Sequence, residues 1–203
     1  MKFEGNVMVF GPPMSGKVIL ARNLMLKDIL EGYNGIYVTA NDIAEDVLDW
    51  FKEFGVEIKV IDCISKSVDP DLKDSEDIKR CSSPIDLTCV SATLSRFLGD
   101  NYRKEKESVV VFDTISTFLM YTNLQTVYRF LHFTTRRVKS MNAKALYIVQ
   151  GGMHDERTIA TLKQIFNGVI EIKCNDRRFL RFVSSSHKTD WIEFKIDGKR
   201  VII

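Results

Sequence analysis

Seven consecutive residues carry the most specific chemistry in this sequence. Gly11, Pro12, Pro13, Met14, Ser15, Gly16 and Lys17 match the pattern G-x-x-x-x-G-K, directly after a short apolar run at Val7–Phe10 and directly before a helical period. In that setting the glycines let the chain wrap closely. Successive backbone N–H groups and a helix N-terminus then point at one spot, and Lys17 adds a point charge there. A concave set of donors with one cation suits the oxygens of a phosphate chain, so a nucleotide such as ATP or ADP is the expected ligand. An ordinary strand–turn–helix corner is the competing account.

The next position departs from the pattern. A Ser or Thr hydroxyl after the lysine would bind magnesium, but the residue is Val18, and a hard cation wants oxygen. Phosphate binding survives on backbone and lysine, while placement of Mg2+ is weakened. The acidic half of such a site is expected at the end of a buried strand. Asp113, which closes the run Val109–Phe112, fits that role and is positioned to hold magnesium through a water. Capping the turn at Thr114 is its structural alternative.

These residues need a frame, and the sequence supplies one by alternating short β-branched runs with helical periods, the signature of a mostly parallel sheet with crossover helices. After the glycine loop, Ala21, Met25 and Ile29 recur at helical spacing up to Gly32, and Gly35–Thr39 reads as a strand. Ile43, Val47, Trp50, Phe51 and Phe54 mark a second helix, and Val56–Ile61 a third strand. Residues 62–83 lose periodicity around Pro70 and predict a surface loop. A helix is then expected with Ser83 as N-cap, Pro84 at its first position and Gly99 as its stop. The run 108–112 is a buried strand, followed by a helix over 123–141, a strand at Ala145–Val149, a helix over 156–166 and a strand at Val169–Lys173. Phe179–Ser184, Trp191–Ile196 and Lys199–Ile203 predict an antiparallel extension, the last two joined by a turn at Asp197 and Gly198.

Composition bounds the rest. The 203 residues, 45% hydrophobic and 28% charged, allow one sizeable core, and one domain over residues 1–203 is the simplest account. A net charge of +2 exerts no strong pull toward nucleic acid. The basic clusters at Arg136–Lys139 and Arg177–Arg181 read as a solvated helix face and strand edge. No apolar run approaches the roughly 18–20 residues that span a bilayer. The opening Met1–Gly5 lacks the apolar stretch of a secretory signal, so a cytoplasmic location is expected. Cys63, Cys81, Cys89 and Cys174 show no C-x-x-C spacing and read as buried or idle thiols, not as a zinc site or disulfide framework. His132 reads as a packing or surface histidine, His154 and His187 fall in loops, and none has a ligand set nearby.

The ordered segments Gly35–Val47, Ser83–Thr88, Val110–Ser116, His154–Leu162 and Asn167–Glu171 resemble the RecA superfamily, and within it the archaeal KaiC-like single-domain ATPases. The resemblance covers nearly the whole chain and implies a RecA-like P-loop fold, with the Ala145–Val149 strand between the phosphate-loop strand and the Asp113 strand. Gln150 then resembles the polar residue that senses the terminal phosphate; as a lone residue it is equally a satisfied polar group in a turn. Where the family carries two adjacent glutamates after the second strand, this chain has Asn41 and Asp42. Asn41 cannot accept a proton as a carboxylate does, which leaves Asp42 as the candidate base. The family's late basic residues, which reach a neighbour's phosphates in a ring, correspond to Arg181, with Val183 in place of an arginine.

A positioned general base is worth about 10²–10⁴ in rate and an arginine finger about 10³–10⁵. Weakening both slows hydrolysis far more than it weakens binding, because backbone amides and Lys17 remain. The expectation is therefore a nucleotide holder with slow or absent turnover, in a regulatory or assembly role, as a homo-oligomer (ring or dimer) or with a protein partner. A genuine slow ATPase using Asp42 is the alternative. A recombinase-like DNA-repair accessory protein is a third reading, disfavoured by the short loop at Gly151–Glu156.

Overall fold

The computed structural model describes residues 2–203; Met1, the first residue of the opening stretch read above, lies outside them. The strands are β1 (Asn6–Gly11), β2 (Asn34–Thr39), β3 (Ile58–Asp62), β4 (Ile78–Arg80), β5 (Ser108–Asp113), β6 (Lys144–Gln150), β7 (Gly168–Cys174), β8 (Arg178–Ser184), β9 (Ile192–Asp197) and β10 (Arg200–Ile202). The helices are α1 (Lys17–Leu30), α2 (Ala44–Lys52), α3 (Ser65–Val68), α4 (Leu87–Arg103), α5 (Ile115–Tyr121), α6 (Leu124–Ser140) and α7 (Glu156–Lys163).

All strands join one 10-stranded sheet in the order β10-β9-β8-β7-β1-β6-β5-β2-β3-β4. From β7 to β4 the neighbours pair in parallel. From β7 to β10 they pair antiparallel. The expected place of β6 between β1 and β5 is what the sheet has. Alternation along the strands splits the core in two. Met8, Ile36, Val38, Val110 and Phe112 face α4, α5, α6 and α7, while Val7, Val9, Tyr37, Val109 and Val111 face α1 and α2. Both faces of a parallel sheet are thereby covered.

Several boundaries differ from the sequence reading. Residues 62–83 are not simply a loop. Asp62 accepts from the N–H groups of Ile64 and Ser65 at 2.9 Å each, which starts α3. β4 then adds a short edge strand beside β3, with Ile78 and Arg80 buried. Arg80 forms an ion pair with Glu45, so its charge is matched where periodicity gave no sign of a strand. Helix α4 starts later than expected, with Asp86 as the cap that accepts from the Cys89 N–H at 3.0 Å. It also runs through Gly99. A helical glycine costs about 1 kcal/mol, which burial of Phe97 and Leu98 beside it outweighs. The final turn consists of Gly198 and Lys199, one residue later than read, with Gly198 at φ 55. Cys81 and Cys89 are not idle thiols: they form a disulfide that ties the end of β4 to the first turn of α4.

Candidate functional site

The glycine-rich loop at residues 11–17 sits where β1 feeds α1. Met14 and Gly16 both take left-handed backbone, at φ 57 and φ 82. Met14 is 92% exposed, so no packing rewards its strained conformation. Pro12 and Pro13 have no N–H to offer. The N–H groups of Met14, Ser15, Gly16 and Lys17 have no hydrogen-bond partner among the described residues. The Ser15 hydroxyl is fully buried and also has none. A loop with unanswered donors at a helix N-terminus is a site for an anion. Lys17 is buried and its ammonium donates to the Pro12 carbonyl at 3.0 Å. Burial holds its pKa below the usual lysine range, with the nearby Asp113 charge opposing.

The outer side of the loop is braced by the C-terminal hairpin. A Cβ at Gly16 would lie 2.1 Å from Ile196 Cδ1 of β9. Asn23 of α1 holds the hairpin, donating to the Lys199 carbonyl at 2.8 Å and accepting from the Val201 N–H at 3.2 Å. The sequence reading found this hairpin but not its contact with the loop.

On the inner side, the carboxyl ends of β1, β2, β5 and β6 open onto a cavity of about 430 Å³. Lys17, Val18, Asn41, Asp42, Asp113 and Gln150 all line it, so residues far apart in sequence meet as expected. Gln150 is fixed through its backbone, whose N–H donates to Ser116 Oγ at 2.8 Å.

The acidic wall of the cavity is organised by three residues that the sequence reading missed: Arg22, Tyr37 and Thr117. Arg22 Nη2 pairs with Asp42 Oδ2 at 2.6 Å, and its Nε donates to the Tyr37 hydroxyl at 3.3 Å. Burial disfavours the Arg22 charge, but Tyr37, Asp42 and Asp113 outweigh it and hold its pKa above the ordinary value. The Tyr37 hydroxyl in turn donates to Asp113 Oδ2 at 3.1 Å. Asn41 donates to the Asp113 backbone carbonyl and, at 3.4 Å, to its Oδ1. Thr117 donates to Asn41 Oδ1 at 2.7 Å. Burial pushes the Asp113 carboxyl up to about 6; the Asp42 charge adds to this, while Arg22, Tyr37 and Asn41 oppose it. A polar side of α1 at Arg22, twenty residues before Asp42, was the available sequence signal.

Two residues singled out in the sequence have partners of their own. Asp113 stands at the expected strand end, where its carboxylate accepts from Tyr37 and Asn41, and Val18 offers the cavity no oxygen for Mg2+. Among the described residues, no group of three His, Cys, Asp or Glu is placed to hold a metal. Arg181 does not line the cavity. Its guanidinium bonds Glu171 at 2.6 and 2.9 Å and lies 4.4 Å from the Trp191 ring centre, so it belongs to the β7–β8 face of its own chain.

Fold and site together define a mixed α/β protein: a large, mostly parallel sheet with flanking helices, antiparallel C-terminal strands, and a polar cavity at the parallel strand ends. The chain belongs to a family of unknown function, DUF7504, whose model matches residues 5–172. No curated protein matches it. Among solved structures, it is similar to the uncharacterized protein PH0321 from Pyrococcus horikoshii, crystallised in complex with an unknown peptide. The identity is 10% and the TM-score 0.70, over 100% of this chain and 92% of that one, a likeness of fold alone. No helix among the described residues is long and apolar enough to cross a membrane.

Proposed function

We propose that this chain is a RecA-like, KaiC-like P-loop protein of the cytoplasm that binds the phosphates of ATP or ADP, hydrolyses slowly or not at all, and uses occupancy as a regulatory or assembly signal. One observation carries this reading. The strained loop presents four unbonded N–H groups and Lys17 beside a cavity, while Asn41 and Asp42, which stand where the resemblance puts a pair of glutamates, are bonded within the chain. Backbone donors at a helix N-terminus hold phosphate without help from a base. Turnover needs one that is free. The signal would be read by further copies of the chain, in a ring or dimer, or by a protein partner.

Thermal unfolding with ATP, ADP and GTP tests this. At 100 times the Kd, mass action stabilises the fold by about 2.7 kcal/mol, and Lys17→Ala is expected to lose most of that shift. If no nucleotide moves the Tm at millimolar concentration, the reading fails. A second reading, a slow ATPase with Asp42 as base, is favoured by one fact: the Asp42 side chain is 42% exposed and lines the cavity. A measurable turnover that vanishes in Asp42→Asn would replace the first reading with this one.

A further inference from the structure

We infer that this site takes its polyphosphate ligand without a divalent cation, with the Arg22 guanidinium providing the fixed positive charge that balances Asp42 and Asp113. The inference rests on the nucleotide-binding reading above and adds the chemical form of the ligand: the free di- or triphosphate instead of its metal chelate.

The donor set is the argument. Magnesium is held in phosphate sites by one or two carboxylates together with phosphate oxygens and waters, in near-octahedral geometry. Four side chains stand where such a role could arise; one has no oxygen, and the other three carry hydrogen bonds of their own, Asp42 on one of its two oxygens. Val18 presents only methyl groups to the cavity. Asp113, 4% exposed, takes the Tyr37 hydroxyl on one oxygen and faces the Asn41 amide with the other. The orientation of that amide is set by the Asp113 backbone carbonyl, which can only accept, so the Asn41 nitrogen must point there. Its oxygen is left to accept from Thr117 at 2.7 Å. Asp42 holds Arg22 at 2.6 Å.

The charges are matched in the same way. Asp42 and Asp113 face Arg22 and Lys17, and the Arg22 side chain is 11% exposed, held over the Tyr37 and Trp50 rings at 5.2 and 5.7 Å. A guanidinium in that position keeps its charge. A divalent cation entering here would have to displace it or share the cavity with it. By contrast, two hydroxyls remain without partners among the described residues, both nearly or fully buried: Ser15 Oγ in the loop and Thr114 Oγ1 in the cavity wall. A hydroxyl donates directly to a phosphate oxygen, so both groups can bond the anion itself.

Calorimetric titration of the full chain with ADP, in excess EDTA and in millimolar magnesium, is the test. Magnesium chelates ADP and depletes the free anion, so binding is expected to be weaker in magnesium than in EDTA, by about tenfold when only about a tenth of the ADP stays unchelated. Manganese added with ADP shows no protein-bound paramagnetic signal. Affinity equal in the two buffers or lower in EDTA, or a bound manganese signal, overturns the inference while leaving nucleotide binding intact. Absence of heat and of competition in both buffers sinks the nucleotide reading itself. Arg22→Gln, which leaves the acid pair without its resident cation, is expected to reverse that order, binding about tenfold more tightly in magnesium than in EDTA; an Arg22→Gln protein that folds and keeps the wild-type order removes Arg22 from the account.

Discussion

The two walls of the cavity are built from opposite principles. The loop wall, residues 11–17, keeps its donors idle: four N–H groups and the Ser15 hydroxyl have no partner among the described residues. The acidic wall engages most of its own groups, because Arg22, Tyr37, Asn41 and Thr117 bond to one another and to Asp42 and Asp113. Idle buried donors cost a fold stability unless a ligand answers them. Saturated carboxylates are stable but chemically quiet. A site with one wall of each kind is suited to hold an anion, and substitutions can shift that balance from either side.

The largest effect is expected at Gly16, on the loop wall. A side chain there meets Ile196 Cδ1 at 2.1 Å and must also adopt φ 82. Left-handed backbone costs a non-glycine residue about 1–2 kcal/mol, and overpacking adds about 1–3 kcal/mol. Gly16→Ala should therefore lose about 2–5 kcal/mol in urea unfolding, together with nucleotide binding. Adding Ile196→Ala should recover the packing part only. Full recovery would mean that the backbone conformation carries no strain.

How much of this could be read beforehand differs between the walls. The loop was legible because its chemistry is backbone chemistry, spelled by glycines at fixed spacing next to Lys17. The strands around it were legible from β-branched runs, while the place of β6 between β1 and β5 was implied by the family resemblance. The bonds of the acidic wall were not. Asn41 and Asp42 could be placed at a strand end, but their partners lie on α1, β2 and α5, and a side chain's partner depends on packing that no local pattern encodes. The disulfide was missed for a related reason: Cys81 and Cys89 are joined by the position of β4, an edge strand of three residues, two of them charged, with no periodic signature. The pairing of Arg181 was not foreseen because Glu171, its partner, sits across a strand pair whose register was unknown.

The acidic wall can be probed by pH. The Asp113 carboxyl is raised to about 6 in the fold, above the ordinary value near 3.9. Between those values the folded state binds more protons than the unfolded one. Its contribution to stability is therefore present below pH ~4 and lost as pH rises through about 6, by about 3 kcal/mol in all. Asp113→Asn cannot titrate. Relative to wild type, that variant should gain roughly this amount between pH 4 and pH 7, on top of any pH-independent loss from its altered hydrogen bonds. A wild type–variant difference that stays flat over this range would show that Asp113 ionises freely.

A smaller effect is expected from converting the quiet wall into a working one. Asn41→Glu supplies a carboxylate and withdraws the amide from Asp113, and Val18→Thr supplies the missing oxygen. Together they should raise magnesium-dependent ATP turnover by at least about tenfold, or about 1.4 kcal/mol; each alone should do little, because a base without a metal leaves the transition state poorly stabilised. The gain is limited by repulsion between the new carboxylate and Asp113. Wild type turning over at about 1 s⁻¹ or faster would overturn the quiet-wall account outright.

The smallest effect is expected at Arg181, which lies on neither wall. Burial would raise the Glu171 pKa, but Arg181 and Lys163 outweigh it and keep the carboxyl below its usual range. Glu171 and Arg181 are only partly buried, so solvent screening reduces what the pair is worth. Removing Arg181 also leaves Lys163, at 3.0 Å, as a remaining partner for Glu171. Arg181→Ala should thus lose less than about 1 kcal/mol, or about 2–4 °C in Tm at this chain length, part of it from the lost contact with Trp191. The sharper measurement is the nucleotide-induced Tm shift, which should match wild type in Arg181→Ala and collapse in Lys17→Ala. Because the Arg181 side chain is held by Glu171 on the β7–β8 face, losing it changes no atom of the cavity. If Arg181→Ala abolished the shift, its guanidinium would have to leave Glu171 to reach a phosphate of its own or a neighbouring copy, and the pairing across β7 and β8 would be only its resting state.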